Sequence, residues 1–297
     1  MAHYLDPKND FIFKRIFGEH PDLLISFLNA LMPLEPGKVI ESVEYLSNEM
    51  VPENPVKKFS IVDVRCRDNY GRQFIVEMQM EWSSFFCSRL LFNTSKAYVR
   101  QLRRGENFLE LQPVYGLGII NEDFDGETPE FYHHYQITNR QNTREVIKGM
   151  ELVLVELPKF QPKKWSDRRM AVLWLRFLKE VEDRTKNVSE DLLSDRNIRK
   201  ALDICEESGF TDEELILYEY YWDAISTEKA ALSTSHEEGK AEGLAEGEAI
   251  GLAKGLAKEK AEMAIRCAER GMSAAEIAEL TALSLEEIHL ILKQNSV

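Results

Sequence analysis

The sequence has no apolar run long enough to span a bilayer. Its first ten residues, MAHYLDPKND, carry neither an apolar leader segment nor an arginine-rich transit pattern. The expectation is a soluble, cytoplasmic protein with no membrane partner. Cysteine is sparse: Cys66, Cys87, Cys205 and Cys267 are scattered, with no metal-ligand spacing and no disulfide-like framework. This argues against a zinc centre and for a reducing compartment. Positive charge is in deficit, with 37 Lys and Arg against 51 Asp and Glu and a formal net charge of -14. A surface of that sign does not bind polyanions indiscriminately, so any nucleic-acid contact must be local. At 297 residues, the chain is long enough for one large domain or two smaller ones.

What is present centres on residues 59–80, FSIVDVRCRDNYGRQFIVEMQM. A strand from Phe59 to Arg67 places Asp63 in an Ile/Val-rich run. The turn Asp68-Asn69-Tyr70-Gly71 puts Gly and Asn where a hairpin calls for positive φ. In the second strand, Gln73 to Met80, Glu77 and Gln79 share a face because side chains two apart point the same way. A half-exposed hairpin with solvated polar faces is the simpler reading of such acids. Carboxylates converging in an apolar setting are costly without a cation, however, and two on one spot suggest Mg²⁺.

From Ser83 to Arg104 a helix is expected, and it contains no Asp or Glu. Arg89, Lys96, Arg100, Arg103 and Arg104 fall at spacings of 7, 4, 3 and 1, within roughly a third of the helix circumference. A basic stripe in an acidic chain suits a phosphate backbone laid across a metal site, although a solvated basic face is the plainer alternative.

Asp63 followed by Glu77-x-Gln79, in a helix–strand–strand–strand–helix–strand order, resembles the PD-(D/E)xK nuclease superfamily. More narrowly, the chain is similar to the PD-(D/E)xK family transposases, the recombination-promoting nucleases of the Rpn type. The opening DPKNDFIFKRIFG, the helix RLLFNTSKAYVRQLRRGENF and the strand PVYGLGII carry this likeness over residues 4 to 125. It implies an α/β fold: a restriction-endonuclease-like αβββαβ core, with a mixed central sheet flanked by helices, followed by an all-α C-terminal region. It also implies a metal-dependent DNA endonuclease of the kind associated with recombination or mobile elements. Asp63, Glu77 and the Met78 backbone carbonyl would hold Mg²⁺, with Mn²⁺ as a substitute, and no small-molecule cofactor is implied. Asp10, on the first helix, could add to the metal site or simply favour the helix N-terminus. The departure is Gln79, where most members carry a lysine. Gln79 can orient a water but supplies no charge, so either it suffices or Lys14 or Lys96 substitutes. The basic stripe would hold DNA by its backbone, without reading bases. The missing lysine and the acidic surface favour a rival: a nuclease-like scaffold that binds nucleic acid or protein.

Residues 1–160 are expected to form the nuclease-like core and 161–236 a helical extension. In the core, Val39 to Leu46 reads as the first strand and 49–57 as a loop. Pro113 to Asn121 reads as a buried strand, followed by strands at Phe131–Thr138 and Leu152–Leu157. His133 and His134 face opposite sides of their strand and make no metal pair. Residues 237–262 repeat with a period of four, with Gly at 239, 243, 247, 251 and 255, and read as a marginal helix or linker. Residues 263–297 resemble a helix-turn-helix, opened by Ser273 with Glu276 as a capping box. Glu276, Glu279, Glu286 and Glu287 would repel phosphate, so a helical interaction module is the better reading, with homo-oligomerisation through the C-terminal region.

Overall fold

The computed structural model describes residues 3–295, apart from 51–59, 125, 166–167 and 184. Phe59, the expected start of the first hairpin strand, and most of the expected 49–57 loop lie outside the described residues. Two units are distinguished, residues 1–227 and 228–297.

In chain order the first unit runs α1 (Asp10–Glu19), α2 (Pro21–Leu31), β1 (Val43–Tyr45), β2 (Glu49–Met50), β3 (Ser60–Ile61), β4 (Val64–Asp68), β5 (Gln73–Gln79), α3 (Phe86–Val99), β6 (Val114–Ile120), β7 (Tyr132–Thr138), β8 (Val146–Glu156), α4 (Arg169–Glu180), α5 (Glu190–Ser194) and α6 (Arg196–Cys205). The opening turns of α7 (Asp212–Glu269) complete it. The strands form a six-stranded mixed sheet in the order β1-β4-β5-β6-β8-β7. The β4–β5 hairpin is antiparallel, β5, β6 and β8 run parallel, and β7 returns antiparallel. The parallel β5–β6 pair requires a crossover, which α3 supplies.

Alternation along β5 sets the layers. Phe74, Val76 and Met78 join a core with α1, α2, α4 and α6, in which Phe13, Phe17, Phe27 and Trp174 are fully buried. Ile75 faces the opposite way, into a smaller cluster with Phe86, Leu90 and Ala97 of α3. Each fully buried side chain of this size contributes roughly 1.5–3 kcal/mol of transfer free energy. β6 is buried along its whole length, as a central strand requires. On its α3 side it carries Gly116 and Gly118, where a Cβ would lie 2.7 Å from Thr94 Oγ1 and 2.8 Å from Phe86 Cε1. The glycines therefore let α3 sit close over the sheet, above Glu77 and Gln79.

Several expectations are corrected. The first strand is only Val43–Tyr45, and Glu49–Met50 pairs with Ser60–Ile61 in a separate ribbon. The expected strand through Asp63 is broken there: the chain bends at Asp63, and β3 leaves the main sheet. In the turn, Gly71 has positive φ but Asn69 does not; the Asn69 side chain instead accepts a hydrogen bond from the Glu41 amide. The basic helix ends at Val99, so Arg100 is its C-cap and Arg103 and Arg104 lie beyond it. β8 begins earlier than expected, at Val146. His133 meets the buried Glu156 at 2.7 Å and His134 meets Glu151 at 2.6 Å, so the two histidines have separate partners.

In the second unit the period-four segment is helical throughout, as part of α7. A Cβ at Gly239, Gly243, Gly247, Gly251 or Gly255 would meet nothing within 4 Å. α8 (Ala274–Thr281) and α9 (Leu285–Asn295) close a small core of Ala264, Ile277 and Ile288 with the end of α7. The Ser273–Glu276 capping box is formed, and Ser284 and Glu287 make the same reciprocal bonds at the start of α9. All four cysteines are free thiols. Among the described residues, no helix is long and apolar enough to cross a membrane.

Candidate active site

The break at Asp63 creates the site. The last β4–β5 pair is Val64 with Val76, so the next step would set Asp63 opposite Glu77. Instead the chain turns away, and Asp63 Oδ2 accepts the Met78 amide at 2.7 Å. Odd-numbered residues of β5 bond to β6, as the Gln73 amide donating to Pro113 and the Gln79 carbonyl accepting from Asn121 show. The Met78 amide and carbonyl therefore face the Asp63 side.

Two cations reach this edge from opposite layers. From α1, Lys14 Nζ lies 2.7 Å from Asp10 Oδ2 and 3.6 Å from Asp63 Oδ1. From α3, Arg89 Nε donates to Glu77 Oε2 at 3.1 Å, and its Nη2 donates to Gln79 Oε1 at 2.7 Å. Asn93, one turn on and fully buried, donates to Glu77 Oε1 at 2.9 Å. Gln79 Nε2 donates to the Glu81 carbonyl at 2.7 Å. Both oxygens of Glu77 are thus fixed by α3, and the Gln79 amide is fixed at both ends.

Asp10, Asp63, Glu77, Met78, Gln79 and Arg89 all line one cleft of about 630 Å³. Burial and the neighbouring Asp10 push the Asp63 carboxyl up to about 8, against the lowering pull of Lys14 and the Met78 amide. Burial works against the Lys14 ammonium, yet Asp63 and Asp10 together carry it above its ordinary range. The site holds more acid than its cations neutralise, the environment in which a carboxylate favours an added cation or a proton.

The structure brings together Asp10, Asp63, Glu77, Met78, Gln79 and Arg89. Lys96 is elsewhere: its ammonium donates to the Met50 carbonyl and does not line the cleft. Arg100, Arg103 and Arg104 are also absent from the cleft lining. Sequence reasoning missed Asn93 and the bond from Arg89 into the acid site. The signal was available as the i, i+4 spacing of Arg89 and Asn93 on the helix following Glu77-x-Gln79. Among the described residues, no three His, Cys, Asp or Glu side chains form a ready-made metal cluster. The donor set still fits Mg²⁺, which is held by one or two carboxylates and completes its shell with water and phosphate oxygens.

An acid-lined cleft at a broken hairpin edge, on a mixed sheet with a helical crossover, defines a nuclease-like α/β protein. Residues 7–235 match the family described as PD-(D/E)XK nuclease family transposase, and the chain belongs to that family. No curated protein and no solved structure matches it.

Proposed function

We propose that the cleft hydrolyses phosphodiester bonds of DNA as a Mg²⁺-dependent endonuclease, with Mn²⁺ able to replace Mg²⁺. The observation that carries this reading is the convergence of Asp10, Asp63 and Glu77 on one cleft, with Asp63 pushed up to about 8. Asp63, Glu77 and the Met78 carbonyl would hold the ion, with Asp10 in reach through Lys14. When bound, the ion polarises the scissile phosphate and lowers the pKa of an attacking water.

The remaining roles belong to the chain. Asn93 and Arg89 orient the Glu77 carboxylate by fixing both of its oxygens. Arg89 brings the positive charge that Gln79 lacks and is itself held by the Gln79 carbonyl oxygen. Gln79 is therefore a positioning residue for Arg89. Lys14 offsets the Asp10–Asp63 charge and supplies a second cation beside the reacting phosphate. The exposed Leu244, Leu252 and Leu256 of α7 support self-association of the C-terminal region, which light scattering of the full chain beside Leu252→Lys would test.

One observation favours a binding scaffold instead: both Glu77 oxygens are already engaged, by Arg89 and Asn93. The two readings separate on supercoiled plasmid with Mg²⁺, Mn²⁺ or Ca²⁺. Metal-dependent nicking by the wild type that disappears in Asp63→Asn is the expected result. No cleavage above the Asp63→Asn background, with no saturable Mn²⁺ site, would leave the scaffold.

A further inference from the structure

We propose that the cleft takes unpaired DNA, with bases flanking the scissile phosphate stacked on Phe85, the N-cap of α3, and Phe92, midway along it. This rests on the phosphodiesterase reading and narrows its substrate class. At 3.6 residues per turn, Phe85, Arg89, Phe92, Lys96 and Arg100 fall within about 80° of one another, so aromatic and basic side chains alternate along one stripe. Phe85 and Phe92 line the same cleft as Asp63 and Glu77 and are 60% and 43% exposed. Neither belongs to a hydrophobic core cluster, so packing does not account for them. Lys96 Nζ lies 5.6 Å from the Phe92 ring centroid, a cation carried beside an aromatic platform. Met80, Tyr221 and Ile225 extend the apolar lining.

The base faces point the same way. A duplex keeps its base faces stacked inside and would leave both phenylalanines unused. An unpaired strand gives each ring a base face, and such stacking is tolerant of sequence.

The test uses the full chain and one labelled DNA sequence, offered single-stranded and as a duplex, about 16 nucleotides long so as to exceed the site. With Mg²⁺ or Mn²⁺ the wild type should cut the single strand at least about tenfold faster than the duplex. Phe85→Ala and Phe92→Ala should each lower kcat/KM on the single strand roughly 5- to 150-fold and shrink that preference. Phe92→Trp should retain it. Leu91→Ala, an exposed residue of the same helix outside the cleft lining, should change nothing. Fluorescence anisotropy of Asp63→Asn in Ca²⁺ reads binding separately. If the duplex is cut as fast as the single strand, or if the phenylalanine variants slow both substrates by one factor, the proposal is overturned while the nuclease stands. If neither DNA is cut, yet Asp63→Asn binds the single strand more tightly and Phe92→Ala removes that preference, the nuclease reading falls and the single-strand site stands.

Discussion

The two ends of the β4–β5 hairpin each carry an aspartate on the same strand or at its edge, and they are built to opposite purposes. At the turn, Asp68 is completely enclosed, with 0% side-chain exposure. Its Oδ1 accepts from the Tyr70 and Arg72 amides, and its Oδ2 takes Arg72 Nε at 2.7 Å and Nη2 at 2.6 Å. The Arg72 guanidinium continues to the Lys38 carbonyl, tying the turn to the segment before β1. At the open end, Asp63 keeps 17% side-chain exposure, accepts one amide, and meets Lys14 only at 3.6 Å while facing Asp10 and Glu77. A carboxylate whose bonding capacity is filled from within its own hairpin holds structure. One left short of cations at a cleft is available for a ligand.

The sharpest way to break this comparison is to remove each acid in turn. Asp68→Ala leaves Arg72 buried and unpaired and should cost about 3–5 kcal/mol in urea unfolding. Cleavage per folded molecule should be unchanged. Asp63→Asn should do the reverse: a loss beyond the roughly 100-fold that removing an outer-shell partner costs, with no fall in stability. If Asp63→Asn unfolds the protein as readily as Asp68→Ala, the two ends are both structural and the contrast collapses.

Next in size is Arg89. Arg89→Ala should lower cleavage about 10- to 100-fold, as loss of an orienting partner does. Gln79→Lys should recover part of that loss, because it returns a cation to the Glu77 face of the strand. The measurement is a double-mutant cycle in kcat/KM. Strictly additive losses would show that Arg89 does not stand in for the lysine. Smaller again is Gly118→Ala: its Cβ would press on Phe86 at 2.8 Å, lifting the α3 end that carries Arg89. A loss of about 1–3 kcal/mol is expected in urea unfolding, with KM rising more than kcat falls.

The open end was legible in the sequence because strand periodicity is strict. Glu77 and Gln79 had to share a face, and both do meet Arg89. The break at Asp63 was not legible, since Ser60-Ile61-Val62 reads as uninterrupted β-former and only the departure of β3 to pair with β2 bends the chain. Arg89 was visible as one cation in a stripe, but its destination depends on Gly116 and Gly118 drawing α3 down onto the sheet. That is a tertiary fact carried by a different strand. Arg103 and Arg104 were misassigned to the helix because Arg100 to Arg104 contains no Pro or Gly stop, and the helix ends at Val99 regardless. Gly105, with positive φ, lies in a turn with Arg104, beyond the cap at Arg100. The period-four glycines were read from the sequence alone, and nothing packed against them in the second unit explains their spacing.

The pH dependence of stability follows from protonation of Asp63. Its carboxyl titrates at about 8 in the folded protein, whereas an unfolded aspartate titrates near ~4. Between those values the folded state binds the extra proton, so stability falls as pH rises. The contribution of Asp63 is fully present below about pH 4 and is lost as pH passes through the folded value of about 8. In EDTA, the melting temperature of the wild type should drop relative to Asp63→Asn from pH 5 upward and run parallel to it above pH 9. A shift of about 2–4 °C corresponds to 1 kcal/mol in a unit of this size. A difference between wild type and Asp63→Asn that stayed flat from pH 5 to 9 would mean that Lys14 alone neutralises Asp63, and the open end of the hairpin would then be as closed as the turn.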